Sequence, residues 1–207
     1  MPGPFWRRWW HMLRHPAPPL PADFRPPAPP PWAGPPESEL GVAMPLRIVV
    51  VAQPRLVLAL VDCVAYSNGF KVGLSVRSKD DIDHRPIGFG PPMERETPES
   101  LRVGLRFADG RETATSGQGP SPDVMAYYAA WQEGREPEVP AGPVIAHSSA
   151  GGGGKRWDWE YWVWPLPPDG PLTVSIEWLA GGVPLSSIEV DGSAIRRAGS
   201  DSKSLWD

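Results

Sequence analysis

The feature that most constrains the fold is the stretch of residues 157–178, which holds five of the chain's eleven tryptophans. Its side chains alternate in character with a period of two, and this period predicts β-strands. We predict two strands, 157–164 and 172–178, joined as a hairpin by a Pro/Gly turn. The first strand has one face of Trp157, Trp159, Tyr161 and Val163 and an opposite face of Asp158, Glu160, Trp162 and Trp164.

Further short strands alternate along the chain between turn signals. Ser67-Asn68-Gly69 predicts a tight hairpin, because Asn-Gly tolerates the positive φ angles of such turns. About nine strands separated by turns predict an all-β fold, an antiparallel β-sandwich of the immunoglobulin-like or jelly-roll type. The additional predicted strands are 46–52, 55–66, 70–77, 101–108, 111–115, 144–147 and 187–190.

Composition divides the chain into a tail and one domain. Residues 1–40 are rich in Trp, Arg and Pro, and 16–37 favour polyproline II, which needs no core, so we predict a disordered tail. Residues 41–207 form the predicted sandwich domain. Within it we expect a helical insertion at 116–142, with a helix over 122–132, and a C-terminal helix at 193–205.

Charge and cysteine content exclude several classes. The net charge of −4 argues against nucleic-acid binding, and a single cysteine allows no disulfide within the chain. No secretory signal pattern is present, so the expected compartment is the cytoplasm. Residues 1–15 mix aromatics with arginines, a composition that suits a short, weak membrane anchor. Gly151–Gly154 followed by Lys155 lacks the spacing of a phosphate loop, and no cofactor is predicted.

The aromatic hairpin is the leading candidate for a binding surface. A strand in a sandwich buries only one face, so either Trp157, Trp159 and Tyr161 or Trp162 and Trp164 should lie outside the main core. An outer aromatic row would bind a protein partner or a sugar. The alternative is that both sets are covered, one by the core and the other by the tail, the helical insertion or a partner.

A second candidate surface is basic. The outward residues of the strands at 70–77 and 101–108 include Lys71, Arg77, Arg102 and Arg106. If the two strands share a sheet, these side chains form one stripe with Gly73 and Gly104 at its centre. Glycine within a strand indicates close approach of another group, which could be a tail segment, another subunit or an anion.

The strings Gly151–Gly154, Trp157–Pro168 and Ile176–Trp178, with Tyr66–Phe70 upstream, resemble a group of uncharacterised proteins from high-GC bacteria. The likeness covers residues 32–207, and the aromatic-Pro-Leu-Pro-Pro string is its most specific part. It implies a bacterial, cytoplasmic, single-domain β protein. It implies no activity, ligand or catalytic residue.

Three functional hypotheses follow. The first is a non-enzymatic module that binds a protein partner or itself through the tryptophan hairpin, with help from the proline-rich tail, whose PxxP spacings suit groove-binding domains. The second is a sandwich that binds carbohydrate or a small ligand on the same aromatics. The third is a metal-dependent hydrolase that uses Asp81, Asp83 and His84, since hard cations take oxygen ligands from such loops.

Overall fold

A computed structural model describes residues 29–82, 100–115 and 122–206. The regular structure of the described chain is mostly antiparallel strands, which confirms the predicted β-sandwich. The strands are β1 (Glu39–Leu40), β2 (Val42–Ala52), β3 (Leu56–Ala65), β4 (Phe70–Ser78), β5 (Arg102–Arg106), β6 (Glu112–Ala114), β7 (Val144–Gly153), β8 (Arg156–Trp164), β9 (Pro171–Trp178), β10 (Val183–Asp191) and β11 (Lys203–Ser204). The helices are α1 (Pro122–Gln132) and α2 (Gly192–Ser200).

Two main sheets form the layers. One has five strands in the order β2-β3-β4-β8-β7, and the other has four in the order β10-β9-β5-β6. A small third sheet pairs β1 with β11, near the two ends of the described chain. All the strand pairings are antiparallel, which allows each sheet to bury one face and leave the other at the surface.

The core lies between the two main sheets. Alternate residues of β3, β4, β8, β5 and β9 point inward, as the period-two pattern requires. Burying one such aliphatic or aromatic side chain contributes about 1.5–3 kcal/mol. Side chains at the centre of this core include Leu58, Leu60, Phe70, Leu74, Val103, Phe107, Val163, Leu172 and Ile176.

The prediction that the two tryptophan-containing strands form a hairpin is wrong, because these strands do not pair with each other. The strand β8 pairs with β4 and β7 in the five-stranded sheet, whereas β9 pairs with β10 and β5 in the other sheet. The connection between them therefore crosses from one layer to the other. Both strands carry an apolar face, and the two faces meet in the core between the layers.

The glycine run that precedes β8 is also different from expectation. Residues 144–147 were predicted as a short strand and Gly151–Gly154 as a flexible joint. Instead β7 continues to Gly153, with Gly151 opposite Asp158 and Gly153 opposite Arg156. The hairpin that contains β8 is thus formed with β7, and its turn lies at Gly154 and Lys155.

The predicted boundary between tail and domain at residue 41 lies within the packed chain. Trp32 is 2% exposed and Glu39–Leu40 forms β1, so the described residues 29–40 are not a disordered tail. The rest of the predicted tail, residues 1–28, lies outside the described residues. The predicted C-terminal helix is too long, since α2 ends at Ser200 and the chain then extends into β11.

The helix within the predicted insertion is confirmed, and α1 has the expected bounds. The turn that follows its last residue, Gln132, contains Gly134, whose φ of 69° is the left-handed conformation that glycine adopts at little cost. Among its described side chains Ala130 is buried, while Met125 and Trp131 are exposed. Neither helix among the described residues has the length and apolar character needed to cross a membrane.

Candidate functional site at the Trp162 face

The inward face of β8 belongs to the core. Trp157, Trp159 and Tyr161 are each at most 6% exposed, and all three pack within the main apolar cluster. Burial raises the pKa of the Tyr161 hydroxyl, which keeps it neutral. The alternation predicted from the sequence is therefore confirmed for these residues, and as placed they offer no surface to a partner.

The outward face of β8 carries Trp162, which is also only 2% exposed. It lies outside the main core, and the cover comes from residues 29–38, a segment that we call the arm. The indole Nε1–H of Trp162 donates a hydrogen bond of 2.9 Å to the backbone oxygen of Trp32. Tyr66 packs edge-on against the Trp162 ring, with 6.0 Å between ring centroids. Trp164, the next residue on this face, is half-buried.

Trp32 is the residue that fastens the arm. Its side chain is 2% exposed and its ring meets Tyr127 of α1 edge to face, at 5.7 Å between centroids. The backbone forms a turn here, since the Ala33 N–H donates to the Pro30 oxygen at 2.9 Å. The turn pairs one backbone N–H of the arm with one backbone oxygen, and the buried indole packs on the helix through Tyr127.

Asn68 supplies the second set of donors. Its side-chain Nδ2 donates to the oxygen of Pro31 at 2.5 Å and to that of Gly34 at 3.2 Å. The neighbouring Gly69 has no room for a side chain, because a Cβ there would lie 2.4 Å from the Val163 oxygen and 2.7 Å from the Trp162 ring. The Asn-Gly turn therefore does more than reverse the chain, as it brings an amide to the arm and leaves space for the indole.

We define the arm-binding site as Asn68, Tyr127 and Trp162, which contact the arm, together with Tyr66, which packs against Trp162. They come from three separated segments, which are the β3–β4 turn, α1 and β8. The site binds the arm through side-chain donors and ring contacts, and the described bonds from Trp162 and Asn68 all end on backbone carbonyls of residues 31–34. Side-chain donors that reach carbonyls of a proline-containing segment, beside aromatic rings, are the general features of proline-segment recognition.

A carboxylate in β1 holds the chain directly after the arm. Glu39 accepts hydrogen bonds from the backbone N–H and hydroxyl of Ser67, at 3.0 and 2.5 Å, and from the hydroxyl of Ser202 at 3.0 Å. Burial alone would raise the pKa of Glu39, but these three donors together lower it below its usual range. The ionised side chain thus joins β1, the β3–β4 turn and the C-terminal segment.

The predicted basic stripe is not present. Lys71 and Arg77 lie on β4 in the five-stranded sheet, whereas Arg102 and Arg106 lie on β5 in the four-stranded sheet. These strands face outward on opposite sides of the sandwich, so the four charges do not form one surface. The group that approaches Gly73 closely is the Asp62 side chain of the adjacent strand, whose carboxylate occupies the space a Cβ would need.

Most of these basic residues have carboxylate partners. Lys71 lies 2.9 Å from Glu160, Arg77 lies 2.9 Å from Asp158, and Arg102 lies 3.7 Å from Glu177. Arg156 also binds Asp158, at 2.6 Å. Burial raises the pKa of Asp158, whereas the hydrogen bonds from Ser75, Arg77 and Arg156 lower it. The net effect is a pKa below the usual value. A face whose charges are paired in this way is typical of a solvated sheet surface.

Of the residues proposed for metal-dependent hydrolysis, only Asp81 is described, and it is exposed. Asp83 and His84 lie outside the described residues. In residues 29–82, 100–115 and 122–206 there is no group of three His, Cys, Asp or Glu side chains placed to hold a metal ion. The neighbouring Asp80 pairs with Arg55, which lowers the pKa of the carboxyl.

Sequence reasoning missed Trp32, Asn68 and Tyr127 as parts of a site. The available signal was a single tryptophan, Trp32, within the proline-rich residues 16–37. The partner of that tryptophan could not be read from the sequence, because α1 and β8 are separated from it by about a hundred residues.

No family model matches the chain, and no match was found among curated proteins or among solved structures. The resemblance to a group of uncharacterised bacterial proteins therefore stays a prediction. The case for a function rests on the geometry of the arm and its binding site.

Proposed function

We propose that the protein is a non-enzymatic interaction module, and that its proline-rich segment, held at the domain surface by Trp32, binds a protein partner. The proposal rests on one observation, the burial of the Trp32 side chain in the domain. An indole that is 2% exposed fixes the chain at the point where the proline tract 16–31 meets the domain. A ligand held at one end loses less freedom on binding than a free one.

The tract itself has the composition that groove-binding domains recognise. Residues 16–21 read Pro-Ala-Pro-Pro-Leu-Pro, and residues 26–31 contain five prolines. Such a segment favours polyproline II before it meets a partner, so binding costs little conformational entropy. The nearby Arg14 and Arg25 add positive charge at either side of the first run. We expect a partner with an aromatic groove and an acidic rim.

This proposal changes the part assigned to the tryptophan strand. Trp157, Trp159, Tyr161 and Trp162 were predicted as binding residues, and in the proposed module they act from inside, by forming the core and the arm-binding site. Trp164, the fifth aromatic residue of this strand that was predicted to bind, has a half-buried side chain. A sugar platform would need accessible ring faces, which these buried residues do not offer.

The test is capture of partners from the native host by the full chain, followed by mass spectrometry. One variant replaces Pro16, Pro18, Pro19 and Pro21 with alanine, and a matched control replaces the exposed Leu179 with alanine. The proposal predicts a partner that binds the wild type and the control and is lost from the proline variant. A partner that binds all three chains equally would assign binding to the folded domain instead, and no partner at all would refute the proposal.

A further inference from the structure

The arm has the composition of a ligand for a site that recognises proline-rich chain. Five of its ten residues are proline, which carries no backbone N–H, so the arm offers mainly carbonyl oxygens. The Trp162 indole donates to the oxygen of Trp32. The Asn68 amide donates to the oxygens of Pro31 and Gly34. All three bonds end on backbone atoms, so they do not depend on the arm's own side chains.

The side chains of the arm that the domain selects are Pro30 and Trp32. Both are buried, whereas Pro29 and Pro31 beside them are exposed. The Trp32 ring is the one that meets Tyr127 of α1 edge to face. Residues 33–38 of the arm are half-buried or exposed. The chemistry that the site selects is therefore a tryptophan two residues after a proline, within an extended segment.

Supports outside the arm hold the donors of the site in place. Trp162 lies on β8 between its paired strands β4 and β7, and Gly69 leaves the space that its ring occupies. Asn68 lies in the β3–β4 turn, which is closed by a bond of 2.8 Å from the Tyr66 N–H to the Gly69 oxygen. Because these supports belong to the sandwich, the donors keep their places when the arm separates. Donors that are already in place favour the binding of a new segment.

We infer that the arm-binding site is a receptor for a Pro-x-Trp segment of another protein, and that the arm is an autoinhibitory ligand that fills it in the resting chain. The arm is a peripheral segment, and such segments open locally while the fold remains intact. The incoming segment replaces the indole and the carbonyl oxygens of the arm one for one. Aromatic side chains that receive a proline-containing segment are a recurring mode of peptide recognition.

A second copy of the chain is a poorer source of this segment than another protein. The arm of a second copy has the same residues as the resident arm, so it gains no additional contact. The resident arm is tethered beside the site, at an effective concentration on the order of millimolar, and it therefore excludes the same sequence at micromolar protein. A segment of a different protein has neighbouring residues of its own that add contacts, and these allow it to displace the arm.

This receptor role is independent of the proposed function, in which the proline tract is itself the ligand. The prolines replaced in the capture experiment, within residues 16–21, lie outside the arm. Failure of the tract to bind a partner leaves the arm-binding site intact. Failure of the site to bind a peptide, in turn, leaves the tract free to act as a ligand.

The experiment uses a synthetic peptide of residues 29–38, Pro-Pro-Pro-Trp-Ala-Gly-Pro-Pro-Glu-Ser, with both ends blocked. It is titrated into the ¹⁵N-labelled full chain with Trp32→Ala, whose resident arm lacks its indole. The Trp162 Nε1–H is followed by ¹H–¹⁵N NMR. We expect saturable binding that moves this signal to its wild-type position and slows its exchange with solvent. The wild-type chain should bind the peptide at least tenfold more weakly, because its tethered arm competes.

Two further peptides test the selected chemistry. One keeps residues 29–32 and has alanine at 33–38, and it should bind within about tenfold of the native peptide, since a Cβ at Gly34 meets open space. The other carries Trp32→Ala and should not bind at millimolar concentration. On the protein side, Asn68→Asp keeps a turn sequence but removes both Nδ2 donors, so it should weaken binding at least tenfold. The matched control Leu179→Ala, at an exposed residue, should bind like its parent.

Three results would overturn the inference. The first is no binding of the native peptide to the Trp32→Ala chain at millimolar concentration; Trp32→Leu takes its place if that chain does not fold. The second is equal binding by the wild type and the variant, which would place the peptide elsewhere on the domain. The third is a wild-type Trp162 signal that changes on fiftyfold dilution, which would show that the arm in the site belongs to a second copy.

Discussion

Replacing Trp32 with alanine removes the side chain that holds the arm on the arm-binding site. Since Trp32 is 2% exposed, the substitution gives up nearly all of its buried surface, together with the edge-to-face contact to Tyr127. Loss of a buried tryptophan costs about 3–5 kcal/mol in general. The arm is a peripheral segment that can separate while the sandwich stays folded, so we expect the lower end, about 3 kcal/mol.

The assay is urea unfolding followed by circular dichroism, with a thermal melt beside it. A loss of about 3 kcal/mol lowers the Tm by roughly 6–12 °C for a chain of this size. The matched control is Trp206→Ala, at a tryptophan that is 74% exposed. Its effect should stay within about 0.5 kcal/mol. If Trp32→Ala costs no more than Trp206→Ala, the arm contributes nothing to the fold and the reasoning fails.

Three further predictions concern single residues. Gly69→Ala should cost more than about 2 kcal/mol in urea unfolding, because its Cβ would overlap the Val163 oxygen, and Gly142→Ala, in open space, should cost little. Cys63 is buried and burial raises its pKa to about 12, so iodoacetamide at pH 8 should label the unfolded but not the native chain; fast native labelling would contradict this. Burial lowers the pKa of His147 below its usual value of 6.5, so in a pH window that begins near 6.5 and extends downward the unfolded chain binds a proton that the folded chain does not. Stability should fall as the pH falls through that window, His147→Gln should reduce the loss, and an equal loss in both chains would contradict the assignment.

The sandwich could be predicted because apolar residues recur along its strands with a period close to two. Leu56–Ala65, Phe70–Ser78 and Arg102–Arg106 were each placed within a few residues, since a half-buried strand must alternate and turns interrupt the pattern. Helix α1 was also placed, by its length and by Gly134 at its end. These are local signals, and each is contained in about ten residues.

The pairing of strands could not be predicted in the same way. The tryptophan strand and Pro171–Trp178 are neighbours in sequence, and a hairpin is the usual outcome for such neighbours. Their inward faces, however, are both apolar and meet across the core from different sheets. Which sheet the strand β8 joins depends on its partners β4 and β7. The strand β4 lies far from β8 in the sequence, and β7 comes before β8 rather than after it. The basic stripe failed for the same reason, because it required β4 and β5 to share a sheet.

The candidate site was only half predictable. Alternation placed Trp162 on the outward face of its strand, and cover by the tail or the helical insertion was one of two outcomes considered. Both elements in fact take part, Trp32 from the arm and Tyr127 from α1. Whether the outward face of the strand is exposed or covered depends on contacts between residues about 35 to 130 positions apart. The periodicity of the sequence carries no information on such distant contacts.

The central claim is that the arm covers Trp162 and takes a hydrogen bond from its indole. The most direct measurement is hydrogen exchange of the Trp162 Nε1–H by ¹H–¹⁵N NMR in the full chain, with the signal assigned by its loss in Trp162→Phe. We predict slow exchange in the wild type and in Trp206→Ala, and fast exchange in Trp32→Ala, where the arm is released. A Trp162 indole that exchanges in the wild type as fast as a solvent-exposed one would contradict the account.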